Sequence, residues 1–70
     1  MITAATIGSE LRALRLARGL SQKRLARRLG ISAGQVSQIE TGVYVPSLDA
    51  ISLVLDALDA RLTIVPKEGA

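Results

Sequence analysis

The chemistry this chain offers is that of amides and hydroxyls rather than of nucleophiles or metal ligands. It has no His and no Cys, which removes disulfides and the usual zinc sites. Its carboxylates are dispersed, and its serines stand where helices would begin, with no base beside them to activate a nucleophile. The run GISAG reads as a turn between helices, not as a glycine-rich phosphate loop. These features argue against an enzyme, and no cofactor is implied. What the chain does concentrate is a set of small or hydrogen-bonding, uncharged residues at Ala33, Gly34, Gln35, Ser37 and Gln38. They fall on the side of a short helical pattern opposite Val36 and Ile39. Such a face, following a strongly basic helix, suits a DNA major groove, where base edges present donors and acceptors.

The elements that must hold this face are legible nearby. Ser21 is a candidate N-cap for a helix in which Leu25, Ala26 and Leu29 recur at helical spacing. Gly30 stands where a helix end turns left-handed, and Ile31 tucks toward the core. Ser32 opens the next helix, and Gln35 three residues on completes a capping box. Thr6 is a plausible cap for a first helix of about residues 7–18, with Ile7, Leu11 and Leu14 on one face and Gly19 at its end. Gly42 to Pro46 forms a loop, Ser47 caps a fourth helix of about residues 48–58, and Leu48, Ile51, Leu55 and Leu58 are its expected buried stripe. Leu53, Val54 and Ala57 add apolar surface beyond one face, suggesting a second buried surface.

The stretch from Gln22 to Glu40 resembles the helix-turn-helix of the lambda-repressor family of XRE-type regulators. Gln22 opens the motif, Ala26 stands where the two helices pack closest, Gly30 is in the turn, and Val36 and Ile39 are the core contacts. The continuation IETGVYVPSL matches the family's E-x-G-x-x-x-P-[ST]-L run. The resemblance implies an all-α fold of four helices around that motif. It implies base-facing positions at Ala33, Gly34, Ser37 and Gln38, and an ion pair between Arg15 and Glu40. Gln38 can pair bidentately with adenine, Ser37 can donate or accept, and Ala33 and Gly34 offer backbone approach or a methyl contact. Direct readout is therefore thin, and DNA shape carries part of the specificity.

Charge is unevenly placed. Residues 1–44 carry Arg12, Arg15, Arg18, Lys23, Arg24, Arg27 and Arg28 against Glu10 and Glu40, whereas residues 45–70 are net acidic. A basic half coincident with the motif predicts affinity that falls steeply with salt. Phosphate candidates are Gln22, Lys23, Ser32, Gln35, Gly42 through its backbone, and Tyr44; Tyr44 alternatively packs over the loop. Arg24 flanks the backbone, and Arg27 and Arg28 could be simply solvated. Tyr44 is the sole aromatic residue, which argues against modules that stack bases on aromatic platforms.

Seventy residues make one domain with a small core. The run RLTIVP (61–66) changes from helical to extended patterning, and a single strand cannot satisfy its own backbone. Leu62, Thr63, Ile64 and Val65 are therefore expected to pair across a homodimer; the alternative is a frayed tail. Four helices followed by one C-terminal β-strand narrow the resemblance to HipB-like antitoxins, and it is this resemblance that implies a HipA-like kinase toxin as partner. Other readings are a stand-alone XRE-type regulator and a protein-interaction module without specific DNA binding. A symmetric dimer would set two recognition helices about 34 Å apart on a palindromic operator in double-stranded DNA. The expected organisation is a flexible N-terminus at 1–6, the DNA-binding domain at 7–60, the dimerisation strand at 61–66 and a tail at 67–70. The N-terminus lacks signal-peptide features, and no apolar run reaches the roughly 18 residues a membrane span requires. The expected location is cytoplasmic and nucleoid-associated, with no membrane partner.

Overall fold

The computed structural model describes residues 6–63, which form four α-helices: α1 (Ile7–Ala17), α2 (Gln22–Leu29), α3 (Ala33–Glu40) and α4 (Leu48–Ala57). Local chemistry sets their boundaries. Ser21, Ser32 and Ser47 all take extended backbone, and each side-chain oxygen accepts the N–H three residues on, from Arg24, Gln35 and Ala50. Each bond satisfies one of the donors a helix start leaves open. At the other end of α2, Gly30 lies in the left-handed region (φ 71°), and Ile31 N–H reaches back to the Ala26 carbonyl at 3.0 Å. A side chain at Gly30 would bring steric cost there that glycine avoids. Thr6 departs from expectation. It occupies the N-cap of α1 with near-helical backbone, and its side chain makes no capping bond.

α2 packs on α3 and α4, and α1 packs on α3. The core is aliphatic: Leu25, Val36 and Leu58 are almost wholly excluded from solvent, with Ile7, Leu11, Leu20, Ala26, Val54 and Leu55 around them. Leu14, Leu29, Ile31, Ile39 and Ile51 pack against this cluster from its edges. Of the expected buried stripe of α4, Leu55 and Leu58 are buried and Ile51 packs at the core edge, but Leu48 stays out. Leu48 is 64% exposed, and Val54 takes its place in the core. Leu48 sits in the first turn, just after the buried Pro46, where the chain is still arriving at the core edge. Leu53 is also exposed.

One contact between α1 and α3 has no room for a side chain. A Cβ on Gly8 would lie 2.3 Å from the Ile39 carbonyl oxygen and 2.7 Å from that of Glu40. The first turn of α1 thus lies directly against the last turn of α3, backbone to backbone.

After α4 the chain runs without a strand through Arg61, Leu62 and Thr63. Ile64, Val65 and the tail at 67–70 lie outside the described residues, as do residues 1–5 of the expected flexible N-terminus. Among the described residues, no helix is long and apolar enough to cross a membrane.

Candidate nucleic-acid interface

The site is built around α3. Its start is closed by a reciprocal pair of bonds: Gln35 N–H donates to Ser32 Oγ at 3.1 Å, and Ser32 N–H donates to Gln35 Oε1 at 2.9 Å. Val36 is buried and Ile39 half-buried, so the helix is held by one apolar edge. Gly34, Gln35 and Gln38 are exposed on the other edge, with Ser37 half-buried beside them. Ala33 stands apart from the expected outer face. It is half-buried against the core cluster, so its methyl is shared between core and surface.

The far end of α3 is fixed by a buried ionic network. Arg15 Nε donates to Glu40 Oε2 at 2.6 Å and its terminal nitrogen donates to Oε1 at 3.0 Å, a two-pronged contact. The remaining terminal nitrogen donates to the Leu20 carbonyl at 2.7 Å. Gln22 Nε2 adds a bond to Glu40 Oε1 at 3.1 Å. Both charged residues are buried, and no buried side-chain nitrogen or oxygen among the described residues lacks a partner. Burial pushes the Glu40 carboxyl up. Hydrogen bonds from Arg15 and Gln22, with the positive charges of Arg15 and Arg12, outweigh this and hold it below its ordinary value. The bond to Glu40 outweighs desolvation at Arg15 and holds its guanidinium above the ordinary range.

This network joins α1, the turn after it, the first residue of α2 and the last residue of α3. The role of Gln22 in it was not legible in the sequence, because nothing in spacing links residues 22 and 40. Its bond to Glu40 orients the amide and leaves its second N–H and its oxygen for an outside partner. The residue expected to grip phosphate is thereby attached to the group that anchors the end of α3.

Beyond α3, Thr41 Oγ1 donates to the Ser37 carbonyl and Tyr44 N–H to the Gln38 carbonyl at 3.0 Å, which ties down the loop through Gly42 (φ 80°). Tyr44 is 55% exposed and lines a shallow apolar groove with Gln38, Ile39 and Leu53.

Apart from Arg15 and Arg61, the described basic residues divide into two groups. Lys23, Arg24 and Arg27 are exposed along α2, and Arg12 is exposed on α1. Arg18 and Arg28 instead turn to the C-terminal end of α4. Arg18 donates to the Leu58 and Asp59 carbonyls at 2.8 and 3.2 Å, and Arg28 to the Ala57 carbonyl at 2.9 Å. They satisfy carbonyls that the helix end leaves open and oppose its dipole. Arg28 is therefore engaged with α4 rather than simply solvated. No local pattern announces this, since each donor and its acceptor are far apart in the chain.

Comparison with known proteins agrees with this arrangement. Residues 6–63 match the model of a helix-turn-helix domain family. A curated protein of Sinorhizobium fredii (strain NGR234), described as an uncharacterized HTH-type transcriptional regulator y4dL, is 39% identical over 62 residues. That alignment takes in 89% of this chain and 32% of the relative, so the chain spans about a third of its length. Two crystal structures of the clp gene regulator ClgR from Corynebacterium glutamicum superpose with TM-scores of 0.81 and 0.79, at 27% and 28% identity. They cover 89% and 87% of this chain, and 80% and 65% of theirs. The family match takes in all four helices, over residues 6–63: the chain belongs to the helix-turn-helix domain family.

Proposed function

We propose that residues 7–60 form a sequence-specific double-stranded-DNA-binding domain that acts in transcriptional regulation as a repressor, with α3 in the major groove. The observation that carries this is α3 itself. It is a short helix with a capped start, an uncharged exposed edge of Gly34, Gln35 and Gln38, and an end clamped by Glu40. The exposed cations of α2 stand beside it. Base contacts fall to Gly34, Ser37 and Gln38, with Ala33 contributing at most a methyl. Phosphate contacts fall to Gln22, Lys23, Ser32, Gln35, Tyr44 and the Gly42 backbone. The relatives described as regulators support the same class of work.

A palindromic operator and a homodimer complete the reading, with residues 61–66 at the dimer contact. The finer role of antitoxin to a HipA-like kinase rests on the RLTIVP run and the resemblance it suggests. A kinase-like gene beside this one would support that role, and its absence leaves the stand-alone regulator.

The test of DNA reading is fluorescence anisotropy on the gene's own upstream duplex and on a shuffled duplex, at two salt concentrations. Tighter binding to the upstream duplex that weakens with salt is the expected result. Equal, weak binding to both would remove specificity from the proposal. Absence of salt-dependent binding would remove DNA altogether and favour a protein-interaction module.

A further inference from the structure

Between α1 and the C-terminal end of α4 runs an apolar groove of about 350 Å³, lined by Ile7, Leu11, Leu14 and Leu55 and edged by Leu62. α1 packs chiefly on α3 and α4 on α2, so this seam is left open by the helices themselves. Two residues of opposite charge, Glu10 and Arg61, stand in the same groove. Both are exposed, and neither side chain has an ion-pair or hydrogen-bond partner among the described residues.

We infer that this groove receives a second copy of the chain, with the Arg61 of each protomer set against Glu10 of the partner subunit. In a two-fold interface, if residue i of one copy meets residue j of the other, j also meets i. A groove carrying one acid and one base on its border is therefore complementary to itself, whereas one bordered by like charges would repel its own copy. An apolar centre with a charged border is also the usual anatomy of an interface. Leu62 is 44% exposed at the groove edge. The inference rests on the dimer reading above and adds where the copies meet and what selects the partner.

The test uses two charge reversals, E10K and R61E, with sedimentation measured over a range of concentrations. Both sites are exposed, so helix content by circular dichroism should stay at the wild-type level. Each variant alone places like charges at both symmetric contacts, and its dimer should weaken by about tenfold or more. An equimolar mixture of the two should dimerise as wild type does, because each mixed contact is again acid against base. A pair formed within one chain cannot be rescued by mixing. A wild-type dimer that both reversals leave intact, or a mixture that fails to recover, overturns this interface and leaves the dimer itself standing. A wild-type chain that stays monomeric at every concentration overturns the dimer reading together with it.

Discussion

Arg15→Met keeps the length and most of the volume of the side chain while removing its charge, and it strands Glu40. The carboxylate is buried and would retain one neutral donor, from Gln22, in place of the two-pronged guanidinium contact. The Leu20 carbonyl loses its donor as well. Removing one member of a buried pair costs about 3–5 kcal/mol. A domain of this size has a total stability on the order of 3–10 kcal/mol, so the variant should sit near its unfolding threshold. Urea titration followed by circular dichroism measures the loss. Replacing both partners by apolar residues, Arg15→Met with Glu40→Leu, should recover most of it, since no charge is left buried.

The pH dependence gives a second readout with a definite sign. In the wild type the folded carboxyl is held below its ordinary value of 4.5. Its contribution is therefore present above that pH and is lost as pH falls through the folded value. In Arg15→Met the burial remains and the chief partner is gone, so the folded value rises above the unfolded one. The penalty in the variant is then greatest at neutral pH and shrinks as acid protonates Glu40. A loss below about 1 kcal/mol at pH 7, a size typical of exposed pairs, would refute the reasoning. So would a gap between variant and wild type that widens on acidification.

Three further outcomes are expected. Gly8→Ala should lower stability by about 1–3 kcal/mol in the same titration, because the new methyl meets two backbone carbonyls that cannot rotate away; an unchanged midpoint would mean that α1 does not lie this close to α3. Gln38→Ala should weaken binding to the operator by about 1–3 kcal/mol while leaving binding to random duplex unchanged; equal losses on both would count against base reading by this residue. Arg24→Gln should reduce the salt dependence of DNA binding by roughly one phosphate contact, whereas Arg28→Gln, whose guanidinium is bonded to the Ala57 carbonyl, should leave that slope alone and lower thermal stability; the reverse pattern would return Arg28 to the DNA face.

What the sequence by itself determined is the part written in local chemistry. Serines at 21, 32 and 47, glycines at 19, 30 and 42, and apolar spacing at 25, 26, 36 and 39 each act within a few residues, through caps, left-handed turns and helical periodicity. Those positions fix four helices and a helix-turn-helix, and they put Gly34, Gln35 and Gln38 on one outer edge. Packing decided the rest, because it brings together residues whose spacing carries no mutual signal. Leu55 and Leu58 of the expected stripe are buried, but Val54 rather than Leu48 joins them, because the elements packed on α4 decide which of its apolar positions are covered. Gly8 touches the end of α3 through backbone alone, a contact that side-chain patterning does not encode. Arg18 and Arg28 look like members of a basic face until the end of α4 arrives with open carbonyls. Gln22 reaches Glu40 because α2 begins where α3 ends in space, and that closeness ties the start of one helix to the anchor of the other.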